Sequence, residues 1–361
     1  TDGRKGILGA GDKNGKLVVR NATLHAKGSD GAIVLGSLKF EDSRITTPGA
    51  WWVSDKNAVM KDGIRATEVT IEPSYGLYIA GEPISAKNCR QLGKIQGVFV
   101  PTEGEFAYDK ESKTLTMKNV TITLNDDTHK GTVAIHNEGV PGLTIVCEGN
   151  NKIATKDADG VQFHANASIT GEGTLSVRTE GNYSAIYAPQ TALTIENATL
   201  DLEGKNGIFG DKSLTLTIKN ARVDAKSHDL AIGNFDAFTL EGGKIAVPAG
   251  GAFDSGLHAV AKDGAKARWV KIIREDETFT YYGLLIAGVP VTSENIDKLD
   301  KIGKVTVGGE LKYDPTNKLL SLKDVSIEDL DGKVAICNEL IPDLTISLSG
   351  NNKIATRNAS G

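Results

Sequence analysis

Four residues, His136, Gln162, Tyr187 and Phe209, hold the same place in a recurring motif of a small residue, then Ile or Val, then a variable residue. The motif reads Ala134-Ile135-His136, Gly160-Val161-Gln162, Ala185-Ile186-Tyr187 and Gly207-Ile208-Phe209, and a fifth copy, Ala231-Ile232-Gly233, ends in glycine. If each motif is a strand with Ile or Val turned inward, the third residue turns outward. Stacked strands then set these side chains in one exposed column at about 4.8 Å intervals. Rings in such a column stack on sugar faces while polar neighbours bond to hydroxyls. His136, Gln162, Tyr187 and Phe209 are therefore the candidate ligand-binding residues, with polysaccharide the expected ligand. The plainer alternative is that Tyr187 and Phe209 are covered by loops or by a neighbouring unit, since isolated apolar surface residues are common.

Other chemistry-bearing types do not assemble into a pattern. The adjacent carboxylates Asp126-Asp127 sit in a polar run, Asn125 to Lys130, that reads as a solvated loop, and Glu328-Asp329 takes the same place further on. Hydrolysis of a glycoside by paired carboxylates needs them at a fixed separation, which order along a chain does not supply. Asp157-Ala158-Asp159-Gly160 and Asp329-Leu330-Asp331-Gly332 begin like calcium loops but lack the remaining ligands and the closing Glu, so they read as turns. The six histidines show no metal spacing. Three cysteines, Cys89, Cys147 and Cys337, are an odd and sparse set for a disulfide framework and read as ordinary buried or half-buried thiols. No catalytic site, no metal and no cofactor is expected.

The elements that must position the column are announced by a second motif, a short strand, a tight corner and another short strand. In Leu193-Thr194-Ile195-Glu196-Asn197-Ala198-Thr199-Leu200-Asp201-Leu202, apolar residues alternate with polar ones on both sides of Asn197. Alternation of period two marks a strand with one buried face. Asn, Gly or Asp at the corner tolerates a left-handed backbone. The same pattern places corners at Asn21, Asp42, Asn119, Gly149, Gly171, Asn220, Gly242 and Asp324. Gly171, Asn197, Asn220 and Gly242 follow one another at about two dozen residues, a period that means a solenoid or an array. With only strands in each period, the unit is one turn of a β-helix, and each turn buries its apolar edge by stacking on the next.

On these corners and strands the chain resembles the right-handed parallel β-helix of the pectate-lyase type. That resemblance implies stacked corner amides bonded to one another, with Asn197 and Asn220 the matching residues, and a groove along the sheet that carries the column. A lyase of that type uses a calcium-binding carboxylate cluster and an Arg base. A polygalacturonase-like enzyme uses paired Asp residues on adjacent turns and a Gly-flanked His. Neither set is recognisable, and no Gly-His-Gly occurs.

A longer repeat overlies the short one. Gly149-Asn150-Asn151-Lys152-Ile153-Ala154-Thr155 is identical to Gly350-Asn351-Asn352-Lys353-Ile354-Ala355-Thr356, and Gly6-Ile7-Leu8-Gly9 matches Gly207-Ile208-Phe209-Gly210. Tyr75-Gly76-Leu77-Tyr78-Ile79-Ala80-Gly81 matches Tyr282-Gly283-Leu284-Leu285-Ile286-Ala287-Gly288. Each Tyr-Gly junction is expected to hold a strand, a short helix capped in the second copy by Ser293, and a hairpin turning at Pro315-Thr316-Asn317. The expected organisation is residues 1–74 as the C-terminal part of one unit, 75–281 as a complete unit (junction 75–118, solenoid 119–281) and 282–361 as the N-terminal part of the next. Trp51-Trp52 reads as an excursion from the wall. The fold class is thus all-β, a right-handed parallel β-helix solenoid in tandem long units, with handedness taken from the resemblance and from the chirality of parallel crossovers. The chain reads as a fragment of a longer array.

The junction, with Asp343-Leu344-Thr345-Ile346 and the Gly-Asn-Asn-Lys-Ile that follows, also resembles a repeat of exported carbohydrate-binding or adhesin-like proteins of gut-type bacteria. This implies a cell-surface or extracellular location and a polysaccharide or another surface protein as partner. A net charge of −5 with both signs interspersed shows no stripe for nucleic acid, and no run of roughly 20 apolar residues could span a bilayer. The function expected is that of a non-enzymatic rigid spacer or adhesin. The alternatives are a β-helix polysaccharide lyase or hydrolase, and an assembly module that stacks on a partner protein.

Overall fold

A computed structural model describes residues 5–8, 15–48, 52–53, 58–210, 214–331 and 334–357. It is a β-solenoid of stacked parallel coils, arranged in two compact units, Thr1–Glu275 and Asp276–Gly361.

In the first unit, one wall is a seven-stranded sheet: Glu105–Asp109, Thr114–Lys118, Leu143–Glu148, Ala167–Thr170, Leu193–Glu196, Thr215–Lys219 and Ala237–Glu241. From Thr114–Lys118 onward every neighbour is parallel. Leu115, Ile145, Ile169, Ile195, Ile218 and Leu240 share one row, and the first five of them are fully buried. The other wall is the larger sheet. It holds the strands after the corners, such as Asn150–Lys156 and Thr174–Glu180, and the third strands Ile135–Asn137, Val161–Phe163 and Ser184–Ala188. In the last two coils the second and third strands merge into the single strands Thr199–Gly210 and Arg222–Gly233.

The corners are left-handed at every expected position, with φ +43° at Asn21, +52° at Asp42, +55° at Asn119 and Asn197, +47° at Asn220 and +53° at Asp324. The glycine corners Gly149, Gly171 and Gly242 lie at +61°, +108° and +61°. The expected amide ladder takes another form. No side-chain bond joins Asn197 to Asn220 among the described residues; instead Asn119 Oδ1 accepts from the backbone N–H of Asn150 at 3.0 Å, and Asp324 Oδ1 accepts from that of Asn351 at 2.7 Å. The reaching side chain lies where a Cβ on the next corner would stand, 2.1 Å from Asn119 Oδ1 at Gly149 and 1.9 Å from Asn220 Oδ1 at Gly242. At these three places a side chain that reaches is followed by a glycine that yields, Asn119 by Gly149, Asn220 by Gly242 and Asp324 by Gly350.

The stack does not run on unbroken, because antiparallel strands close it at both ends. Leu77–Ile79 runs antiparallel to Ile135–Asn137, Val98–Phe99 to Thr121–Leu124, and Glu105–Asp109 to Thr114–Lys118. At the far end Trp269–Arg274, within the stretch expected as solenoid, pairs antiparallel with Arg222–Gly233 and with Gly243–Val247. Such strands blunt edges that would otherwise template further pairing. Residues 5–73 end likewise, with Glu68–Pro73 antiparallel to both Leu24–Lys27 and Ser43–Thr47. Trp52–Val53 leaves the wall to pair antiparallel with Val59–Lys61, while Trp51 lies outside the described residues.

In the second unit, Tyr281–Ile286 pairs with Val289–Thr292 and Ile336–Asn338, and Val305–Asp314 forms a hairpin with Leu319–Asp331. The expected turn is present, with Asp314 Oδ1 accepting from the N–H groups of Thr316 and Asn317. The helix is a 3-10 segment, Ile296–Lys301, with Leu299 buried, but Ser293 does not cap it. Ser293 Oγ accepts from Thr280 N–H at 3.1 Å, and Asn295 fixes the entry turn by accepting from Thr292 N–H and donating to the Pro290 carbonyl. Asn88 does the same in the first copy with Ser85 and Pro83.

Candidate functional site

Period-two alternation turns Ile135, Val161, Ile186 and Ile208 inward, all fully buried, and turns His136, Gln162, Tyr187 and Phe209 outward, all half-buried. Parallel register puts His136 beside Gln162, Gln162 beside Tyr187 and Tyr187 beside Phe209, and the row ends on Gly233. All four expected residues thus fall in one column. The small residue that opens each motif is required by packing, since a Cβ on Gly160 would stand 2.2 Å from Val177 Cγ1 and 2.8 Å from the Ala185 carbonyl oxygen.

The column has a fifth member. Tyr78, on the antiparallel closing strand Leu77–Ile79, lies opposite His136, and their rings stack at 5.8 Å with 29° between planes. The motif Tyr75-Gly76-Leu77-Tyr78 marks a strand, but a strand's partner is not written in its alternation. The rings of Tyr187 and Phe209 lie 6.1 Å apart at 31°. His164 sits edge-on to His136 at 5.3 Å.

His136 Nε2 is buried without a hydrogen-bond partner. Burial lowers the pKa of this imidazole, and the neighbouring His164 lowers it further, with Glu138 opposing and Arg44 adding to the depression. Arg44 is itself paired with Glu138 at 2.6 Å. Burial, then Glu138, raises the pKa of Tyr78, so its hydroxyl stays protonated at neutral pH. A histidine whose folded pKa lies below its unfolded value favours the fold when neutral. Its contribution is present above the unfolded value of about 6.5 and is lost as pH falls through the lower folded value. Thermal melts between pH 7 and pH 5 are therefore expected to fall more steeply for the native chain than for His136→Gln, and parallel slopes would refute this.

The strands that carry the end of the column also hold a charged row. Asp201 and Asp224 are in register on adjacent coils, each four residues after its corner Asn. Arg178 binds Asp201 at 2.5 Å and Glu203 at 3.0 Å. Asp224 accepts from Trp269 Nε1 at 2.8 Å and from Lys271 Nζ at 3.4 Å. Both carboxylates are thus held by cations or donors. Periodicity alone could have paired them, because both sit at the same distance past the corner on outward positions.

The remaining candidates are structural. Asn125 to Lys130 is a single 3-10 turn, Asp127–His129, instead of an open loop. Asp126 caps it, accepting from the N–H groups of Thr128 and His129, and hydrogen bonds from the Thr128 hydroxyl and the His129 ring hold its carboxyl down to about 2. Asp157 takes a left-handed turn, and Asp159 Oδ1 accepts from Ser184 N–H at 2.7 Å. Asp329 to Asp331 continue the strand Leu319–Asp331, and Gly332 lies outside the described residues. The three thiols are free, and burial pushes that of Cys147 up to about 12. Among the described residues no group of three His, Cys, Asp or Glu could hold a metal ion, and no helix is long and apolar enough to cross a membrane. Comparison with protein-family models, with curated proteins and with solved structures finds no match to this chain.

Proposed function

We propose that this chain is a repeat of an exported, non-enzymatic bacterial surface protein, a rigid spacer or adhesin that takes a polysaccharide along the column Tyr78, His136, Gln162, Tyr187 and Phe209. In this reading it is a right-handed parallel β-helix of the pectate-lyase type and a stretch of a longer tandem array. The observation that carries the ligand is the column itself, five half-buried side chains in continuous register, with two ring pairs separated by an amide. Ring faces offer stacking to a sugar chain, and Gln162 offers hydrogen bonds to its hydroxyls. The location rests on the resemblance of the junction to exported repeats.

A glycan array tests the reading. The native chain is expected to retain a polysaccharide, and Tyr187→Ala with Phe209→Ala is expected to weaken retention by about tenfold or more. A native chain that retains none ends the lectin proposal. The hydrolase or lyase alternative has one observation in its favour, the register of Asp201 with Asp224. Release of reducing or unsaturated ends from the retained glycan, abolished by Asp201→Asn with Asp224→Asn, would favour it over a binding module.

A further inference from the structure

The first Tyr-Gly junction joins two stacks that share neither a sheet nor a core. Among the described residues no strand of 5–73 pairs with a strand of 75–275. Val19, Ile33, Ile45 and Ile71 belong to one buried cluster, and Leu77, Ile79, Leu115 and Ile135 to another. Between Glu68–Pro73 and Leu77–Ile79 the link is Ser74, Tyr75 and Gly76. With a separate core on either side of a short link, relative motion is the default unless contacts across the link hold it.

Two ion pairs cross this link. Asp42, a left-handed corner of the first stack, pairs with Lys110 at 2.5 Å, and its carbonyl accepts from Ser74 N–H at 3.0 Å. Lys110 Nζ also lies 5.2 Å from the centre of the Tyr75 ring. Two residues past Asp42, Arg44 pairs with Glu138 at 2.6 Å. The Arg44 guanidinium fills a slot that two glycines leave open. A Cβ on Gly139 would stand 1.8 Å from its Nη2, and one on Gly76 would stand 3.0 Å from its Nε. Backbone bonds shape the slot, because Glu138 and Gly139 both donate to the Gly76 carbonyl.

The second junction repeats that backbone without the side chains. Glu339 and Leu340 donate to the Gly283 carbonyl in the same way, but Leu340 stands for Gly139, Gly242 for Asp42 and Pro315 for Lys110. Lys244, the counterpart of Arg44, donates to the Glu275 carbonyl, and Glu339 accepts from the Tyr281 hydroxyl. The slot and its two ion pairs are therefore set by residue choice, not by the path of the chain.

We infer that Asp42 and Arg44 form a salt-sensitive latch that locks consecutive stacks at this junction, and that screening or removing the two pairs frees the stacks to swing about Ser74, Tyr75 and Gly76. The four side chains are 28% to 43% exposed, so each pair contributes little alone and salt weakens it. Such a hold yields without either core unfolding. Opening also releases Glu138, two residues past His136, and so loosens the end of the column where Tyr78 faces His136. The latch does not depend on what the column binds.

Hydrogen exchange of the 361-residue chain, read by mass spectrometry, tests the latch. At low salt the Ser74 N–H is expected to be protected. In about 1 M salt its exchange is expected to quicken about tenfold. The double variant Arg44→Ala, Lys110→Ala is expected to show the same gain at low salt. So is Gly139→Leu, which plugs the slot with the second junction's residue and changes no charge. The strands Leu24–Lys27 and Thr174–Glu180 are expected to keep native exchange throughout, one reporting on each stack. Unchanged exchange at Ser74 in salt, in the double variant or in Gly139→Leu would overturn the inference. So would a gain that spreads to those two strands, because the pairs would then hold the fold itself.

Discussion

Phe163→Ala is expected to cost about 3–5 kcal/mol of stability, among the largest effects of any single truncation in the first unit. Phe163 ends the third strand Val161–Phe163, is fully exposed to neighbouring coils and not at all to solvent, and is among the largest wholly buried side chains. Removing its ring deletes contact area and leaves a cavity that stacked rungs cannot close, since each rung is pinned by backbone bonds to the next. Its carbonyl accepts from Thr191 Oγ1 at 2.9 Å, so the backbone there is tied across a coil and cannot settle inward. Urea unfolding followed by circular dichroism measures the loss. Tyr187→Ala, on the outward face of the same wall, serves as the contrast and should shift the midpoint far less. Equal losses for the two would mean that the inward and outward rows are assigned wrongly.

Gly160→Val is expected to be the next most damaging substitution, at about 3 kcal/mol, the upper end for overpacking. The first added carbon would stand 2.2 Å from Val177 Cγ1 and 2.8 Å from the Ala185 carbonyl oxygen. A side-chain carbon can swing aside, but the carbonyl belongs to the rung above and has nowhere to go. The branched side chain therefore pries two coils apart at the bend that leads into the column. The same unfolding experiment reads it, and the column offers a second readout, because spreading these coils should also weaken retention of any glycan bound at Gln162 and Tyr187. A valine tolerated at full stability would contradict the coil spacing itself.

The winding was legible in the sequence because it depends on local chemistry repeated many times. A corner needs a residue that accepts positive φ, and the strands beside it need apolar residues at every second place, so Asn197 and its counterparts identify themselves. The column was legible for the same reason: once Ile135, Val161, Ile186 and Ile208 turn inward, the residue after each must turn outward. What stayed hidden concerns partners that no period encodes. Leu77–Ile79 reads as a junction strand and Trp269–Arg274 as part of the solenoid, yet nothing in their alternation says that they run antiparallel to the coils, so Tyr78 does not declare itself a neighbour of His136. Asp201 and Asp224 stand a full coil apart along the chain and meet only through the register of two strands whose merging the corner spacing alone does not specify. Ser293 looked like a cap because its type and position suit one, but a bond to Thr280 claims its hydroxyl.

The antiparallel closures have a consequence for how such a molecule changes over generations. The strands that seal residues 75–275 lie at the two ends of that stack, while the coils between them, from Leu143–Glu148 to Leu193–Glu196, meet parallel neighbours on both sides. An interior coil can therefore be duplicated or deleted as a cassette without redesigning either seal, provided that a glycine corner still follows each side chain that reaches, as at Asn119 and Asn220. Reach then varies in fixed increments of one rung, about 4.8 Å each, and the number of side chains in the outward row rises or falls with it, so that size and valency are inherited together.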